Sequence, residues 1–212
     1  MNTTPFKQLA SFLCLSASLV AVSAQAATRP SSIILFDSTN TEATFSAKVS
    51  SWRDPAFGDM GWTHSSAWGT VHAKRNQTVT IKVVSADAGL HPGVTVWLRG
   101  KDDTAPNKYV VDHFYPQNAN FTEFGASDET TGKSIGNIIM RHIAHGYDAD
   151  ENSANVSEMN PITDGVAGQL ELSFKATASR YYQFVVGGFN PSEGVDASVK
   201  HDFNVTVTVS DQ

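Results

Sequence analysis

The stretch from Met60 to His64 carries the side chains best suited to chemistry in this chain. It places a thioether, an indole and an imidazole within five residues. In an extended strand alternate side chains point the same way, so Met60, Trp62 and His64 would share one face. Such donors suit a soft metal ion such as Cu(I). The competing interpretation is a core aromatic residue beside a surface histidine.

Other histidines offer further ligands. His113 lies in the segment from Tyr109 to Tyr115, where a strand would place it on a semi-buried aromatic face, either as a core residue or as a ligand. The alternating neighbours of His72 predict an outward position. His91 stands in a turn before a proline and is expected to be solvated, and His201 is expected at the surface.

His142 and His145 are three residues apart. On a helix this spacing places both imidazoles on one side, as metal-binding pairs require. The segment from Ser134 to Tyr147 has isoleucines partly at helical spacing, and it predicts a short helical insertion that would carry the pair.

The run from Asp148 to Pro161 is polar and predicts a long exposed loop. Asp148 and Asp150 begin it like the opening of a calcium loop. Ser153 and Met159, however, occupy the positions where an EF-hand needs glycine and glutamate. An irregular Ca²⁺ site that uses Asp148, Asp150 or Glu151 stays open as an alternative.

The first 26 residues predict a secretory signal peptide. Lys7 is their only charged residue, and it precedes an apolar run from Leu9 to Val22. Ala24-Gln25-Ala26 then supplies the small-residue pattern that signal peptidase reads. The apolar run is too short to span a membrane. We therefore expect export through Sec, with residues 1–26 removed and residues 27–212 forming one domain.

Composition narrows the function classes. Cleavage would remove Cys14, the only cysteine, which excludes disulfides and thiolate metal sites from the mature chain. The remaining 14 basic and 21 acidic residues give a net charge of −7, which argues against a nucleic acid partner and modestly favours cations. The sequence has no serine nucleophile elbow, phosphate loop or paired zinc motif, so we do not predict an enzyme.

The remaining pattern predicts an all-β fold. About eight segments are rich in β-branched and aromatic residues and are separated by Gly, Pro, Asn and Asp clusters. They are Ser32 to Asp37, Ala43 to Trp52, Val79 to Ser85, Val94 to Leu98, Tyr109 to Tyr115, Gln169 to Phe174, Tyr181 to Phe189 and Phe203 to Ser210. This spacing is typical of a single antiparallel β-sandwich, immunoglobulin-like or jelly-roll, with long loops.

The secretory signal, the acidic cysteine-free β-rich chain and the motif Trp62-Thr63-His64 together resemble the copper-repressible surface copper(I)-binding proteins of methanotrophic bacteria, the CorA/MopE type. The resemblance implies that Trp62 is oxidised to kynurenine and that His64 is one Cu(I) ligand, with a distant histidine as the second. It further implies copper scavenging by a secreted or outer-membrane-associated protein. An exported haem peroxidase would oxidise Trp62.

No motif identifies the second histidine. We prefer His113, because its aromatic-flanked strand would pack beside the strand of Trp62. His72 and the pair His142 and His145 are rivals, and Met60 is a candidate weak soft donor.

A different function stays open. In a surface adhesion or carbohydrate-binding β-sandwich, exposed Trp52, Trp62, Trp68 and tyrosine side chains would form a stacking platform.

Overall fold

The computed structural model describes residues 27–30, 32–52, 65–87, 89–112, 120–154, 157–189 and 194–211. The predicted signal peptide, the stretch from Met60 to His64, and His113 lie outside these ranges. Within them the one helical element is a 3₁₀ turn at Ser157–Met159. This described part contains no helix with the length and hydropathy needed to cross a membrane.

Thirteen strands form the described fold. In chain order they are β1 (Ala27–Pro30), β2 (Ile33–Phe36), β3 (Glu42–Ala47), β4 (Ala67–Ala73), β5 (Thr78–Ser85), β6 (Pro92–Arg99), β7 (Tyr109–Asp112), β8 (Phe121–Ser127), β9 (Ser134–Asp148), β10 (Pro161–Ile162), β11 (Gln169–Lys175), β12 (Arg180–Gly188) and β13 (His201–Ser210).

The strands form a sandwich of two main sheets. A seven-stranded sheet has the order β10-β9-β6-β12-β4-β2, with β8 also paired to β9. A four-stranded sheet has the order β11-β5-β13-β3, and β1 and β7 form a separate pair. The β2–β4 and β10–β9 pairs are parallel and the others are antiparallel. The predicted β-sandwich is thereby confirmed.

The core between the two sheets arises from strict alternation. In β5 every second residue is buried, and β11 follows the same pattern. Because side chains alternate across a strand, such segments direct one apolar row inward and one polar row to water. Phe36, Phe45 and Phe184 meet across the sandwich with ring centroids 5.6 to 6.1 Å apart.

The seven-stranded sheet is buried on its other side too, and we call this side the outer face. Its apolar cluster includes Trp68 on β4, Trp97 on β6 and Val185 on β12. The residues that cover them include Trp52 and all three apolar residues of β7. A sheet buried on both faces reads as a nearly continuous apolar run, which is the pattern of β6 and β12.

The predicted helical insertion at Ser134 to Tyr147 is wrong, because these residues belong to the long strand β9. Its isoleucines mimic helical spacing because the strand contributes to both apolar layers. Ile138 and Met140 join the cluster of the outer face, whereas Ile143 packs against the core between the sheets. Register shifts against β6 and β8 disturb the two-residue period further.

Trp52 fits against the sheet only because β6 has a glycine beneath it. A Cβ atom on Gly93 would fall far inside contact distance of three atoms of the Trp52 indole. That indole is fully buried, and its Nε1 donates a hydrogen bond of 3.0 Å to Oγ1 of Thr95. The ring therefore has no room to move away.

We predict that Gly93→Ala lowers the free energy of unfolding by about 3 kcal/mol, the upper end for an overpacked core. Urea denaturation measures the change, and near-UV circular dichroism reports the displaced indole. Gly125→Ala is the matched control, because a Cβ there meets no atom within 4 Å. Its only cost is the backbone strain of a φ of +67°, about 1 kcal/mol. Equal losses in the two variants would contradict the packing argument.

Candidate metal centre

Nine residues are sequence-predicted site residues, and the structure describes five of them. The described residues are His72, His142, His145, Asp148 and Asp150. Met60, Trp62, His64 and His113 lie outside the described residues. The first three belong to segment 53–64 and His113 belongs to segment 113–119, and each segment has described residues on both sides.

Segment 53–64 is flanked by residues packed on the outer face. Trp52 precedes it, and its ring lies 6.2 Å from that of Tyr147 on β9. On the other side, the backbone oxygen of Ser65 accepts a hydrogen bond of 3.1 Å from the amide of Lys48. Trp68 follows, with its ring centroid 5.7 Å from that of Trp97. Both flanks are therefore tied to the sandwich, and the two tryptophans lie on one face of it.

Segment 113–119 is also flanked by contacts to the seven-stranded sheet. Before it, the guanidinium of Arg99 donates to the carbonyl oxygen of Tyr109 at 3.2 Å, and the side-chain amide of Gln183 donates to that of Asn107 at 2.6 Å. These bonds hold the start of β7 on the outer face. After it, Oδ1 of Asn120 accepts a hydrogen bond of 2.9 Å from the backbone amide of His142.

The structure brings His142 and His145 together. Nε2 of His142 lies 3.1 Å from Nδ1 of His145, and the ring centroids are 5.0 Å apart. Both side chains are half-buried. Burial, and then the neighbouring His145, lower the pKa of His142 to about 4, because both effects disfavour the charged imidazolium. The imidazole of His142 is therefore neutral near pH 7.

A β-bulge, not a helix, places these imidazoles on one side. Residues three apart in a regular strand point to opposite faces. In β9, however, Ala144 pairs with Val96 and His142 pairs with Trp97, so Ile143 is the extra residue. One extra residue reverses the alternation, and both histidines reach the same side.

His91 and Asp148 form a buried pair that sequence analysis did not anticipate. His91 is 1% exposed and Asp148 is 0% exposed, so the predictions of a solvated His91 and an exposed Asp148 are wrong. Nδ1 of His91 lies 2.7 Å from Oδ2 of Asp148. The backbone amides of Gly168 and Asp150 also donate to this carboxylate, at 2.7 and 3.0 Å. The pair therefore joins three separate chain segments, and it gives no local signal because its members are 57 residues apart.

The carboxylates proposed for calcium already have donors. Oδ2 of Asp150 accepts from the amides of Asp164 and Gly165 at 2.7 and 2.9 Å. The Asp164 bond is the largest cause of the lowered pKa of Asp150. Across the described ranges, no three His, Cys, Asp or Glu side chains are grouped to hold a metal ion. The geometry gives no support for the calcium site at Asp148 and Asp150.

His72 is exposed on β4, as predicted. Its ring packs edge-on against that of Tyr181, with the ring centroids 5.2 Å apart. Three strand spacings separate β4 from β9, which is about 14 Å across the sheet. His72 is therefore not brought together with the pair on β9.

The described tryptophans do not form an exposed platform. Trp52 is 0% exposed and Trp68 is 2% exposed, because both pack into the layer on the outer face. A stacking platform for carbohydrate needs open aromatic faces, so the prediction that these two residues contribute one is wrong. Trp62 lies outside the described residues.

We predict that Asp148→Asn lowers the free energy of unfolding by about 3 kcal/mol, because His91 and two amides lose a buried charged acceptor. Chemical denaturation measures the loss. Asp102→Asn is the control, because Asp102 is exposed in a turn, and its effect should stay within about 0.5 kcal/mol. A loss at Asp148 no larger than that of the control would show that the buried pair contributes no net stability.

Comparisons with known proteins identify the family. The family described as copper(I)-binding protein, CorA-like, matches residues 25–196. Among the curated proteins compared, none matches the chain.

Solved structures agree with that match. CorA of Methylomicrobium album BG8, described as a surface-associated copper-binding protein important in copper acquisition, is 33% identical with a TM-score of 0.77; the match covers 86% of this chain and 100% of that one. A second match is mercury-soaked MopE, a secreted protein of Methylococcus capsulatus in which an oxidised tryptophan facilitates copper binding. It is 17% identical with a TM-score of 0.55, and the match covers 86% of this chain and 100% of that one. At that identity MopE shows the fold alone. The chain is a copper-binding protein of the CorA/MopE type and belongs to the CorA-like copper(I)-binding family.

Proposed function

We propose that this chain is an exported, non-enzymatic protein that scavenges copper in the Cu(I) state. Its site consists of His64, His113 and Trp62 oxidised to kynurenine. Membership of the CorA-like family over residues 25–196 is the observation that carries the proposal. Residues 1–26 direct export through Sec, and the mature chain acts at the outer-membrane surface or in the medium.

The contacts of the flanking residues support the choice of His113 as the second ligand. The segments that contain His64 and His113 are both flanked by residues of the outer face. Trp52 precedes the first segment, and β7 precedes the second. The described residues that precede the two segments therefore lie on the same face of the seven-stranded sheet, as a site built from both segments requires.

The ligand set suits the metal. Cu(I) prefers soft or imidazole donors, and its filled d shell makes no demand for four ligands. Intact indole is a poor ligand because its nitrogen only donates hydrogen bonds. Kynurenine has an aryl amine and a ketone oxygen, so oxidation of Trp62 gives this position donor atoms that tryptophan lacks. Met60 supplies an alternative weak donor.

The oxidation of Trp62 needs an external oxidant. We propose that an exported haem peroxidase catalyses it with hydrogen peroxide. Two hydrogen peroxide molecules supply two oxygen atoms, which cleave the indole C2–C3 bond, and two waters are released. Hydrolysis of the resulting N-formylkynurenine releases formate and leaves kynurenine at position 62.

The negative net charge of the mature chain favours the binding of copper ions. With residues 1–26 removed, 21 acidic residues stand against 14 basic ones. The resulting negative field attracts cations and disfavours nucleic acid as a partner.

We predict that His64→Ala and His113→Ala each weaken Cu(I) retention by about 100-fold or more, since each removes one of two strong ligands. Competition with a Cu(I) chelator under anaerobic conditions measures the effect. His72→Ala is the comparison variant, because it removes an exposed imidazole on β4 that is a rival for the second ligand. We expect it to leave Cu(I) retention unchanged. Unchanged affinity in His64→Ala would refute the site.

We also predict that the Trp62 peptide of natively purified protein is heavier than its sequence by about 4 Da, the net gain of one oxygen and loss of one carbon. Peptide mass spectrometry checks this, and metal analysis should find about one copper per chain in the same sample. Peptides with Trp52 and Trp97 are internal controls, because both side chains are buried. An unmodified Trp62 in copper-loaded protein would contradict the role of kynurenine.

A further inference from the structure

We propose that His142 and His145 form a second metal site, which binds Cu²⁺ as a bidentate imidazole chelate on strand β9. This site uses neither His64, His113 nor Trp62, the residues to which the proposed function assigns Cu(I). It therefore goes beyond the proposed function and can fail independently of it.

The spacing of the two nitrogens carries the proposal. Two metal–nitrogen bonds of about 2 Å place their nitrogens about 3 Å apart at a right angle and about 4 Å apart in a line. Nε2 of His142 and Nδ1 of His145 are 3.1 Å apart. The pair thus already has the separation of two adjacent ligands in a bent arrangement, whereas linear Cu(I) would require it to open.

The hydrogen bond between the rings shows that the pair can supply lone pairs. In an N–H···N bond one nitrogen donates and the other is unprotonated. A metal ion takes the place of the shared proton, which moves to the other nitrogen of its own ring. Binding therefore needs no redox step.

The backbone around the pair is held before any metal arrives. The amide of His142 donates to Oδ1 of Asn120 at 2.9 Å, and the side-chain amide of Asn160 donates to the carbonyl oxygen of His145 at 2.7 Å. On the opposite edge, β9 is paired with β6 from Met140 to Tyr147. A site fixed by such contacts loses little conformational entropy on binding.

The bent geometry selects the ion. Two cis imidazoles, with water at the open positions, suit the tetragonal geometry of Cu²⁺. Cu²⁺ also stands highest in the Irving–Williams order. Within the described part of the chain, no third His, Cys, Asp or Glu side chain completes a group with the pair. Both rings are partly exposed, so solvent reaches the pair.

Electron paramagnetic resonance tests the site directly, because Cu(I) is silent in this experiment. The mature chain with His64→Ala and His113→Ala receives one equivalent of Cu²⁺. We expect one axial signal with pulsed-resonance couplings from two imidazoles. Adding His142→Gln and His145→Gln should abolish that signal and weaken Cu²⁺ affinity by about 100-fold or more.

Controls separate the possible failures. His72→Gln in the same background should retain the signal, and far-UV circular dichroism checks the fold of each variant. If the variant with all four substitutions does not fold, the pulsed-resonance couplings in the His64→Ala/His113→Ala chain decide the question. Couplings from only one imidazole, or from none, would overturn the proposal. An unchanged signal and affinity without His142 and His145 would also overturn it. Normal Cu(I) retention by the His142→Gln/His145→Gln chain, which keeps His64 and His113, would leave the Cu(I) site intact whatever the outcome here.

Discussion

Burial of both faces of the seven-stranded sheet is the constraint on which the rest of the structure depends. One face packs against the four-stranded sheet, and the outer face is covered by Trp52, β7 and aromatic neighbours. Trp52 and β7 are also the chain segments that immediately precede residues 53–64 and 113–119. The apolar packing that stabilises the sheet therefore also fixes the described residues that immediately precede the two segments with the proposed Cu(I) ligands.

The same constraint explains how far sequence reasoning could reach. Strands buried on one face, such as β5 and β11, alternate cleanly and were predictable to within a residue or so. β9 contributes to both apolar layers and contains a bulge, so its pattern combines two periods and resembles a helix. The predicted sandwich was correct because apolar and polar residues alternate in most strands of the inter-sheet core. The helix predicted at Ser134 to Tyr147 was wrong because both faces of β9 contribute to apolar layers.

For the candidate site, residue types were easier to predict than positions. The spacing of His142 and His145 correctly predicted a same-side pair, but a bulge produces it rather than a helical turn. A bulge depends on the partner strand and leaves no periodic signal in its own sequence. The pair of His91 and Asp148 was missed for a related reason, since it joins chain segments that only the tertiary fold brings together.

Comparing these histidines shows what decides whether an imidazole can hold a metal ion. His91 has an ideal carboxylate partner for a ligand, yet its Nε2 is buried and has no hydrogen-bond partner among the described residues, so an ion could reach it only by opening the fold. His142 and His145 are half-buried, and their adjacent nitrogens face each other. A carboxylate partner orients a ring, whereas access and a second donor at the right distance make a site. On that criterion the proposed Cu²⁺ chelate belongs at the bulge of β9 and not at the buried pair.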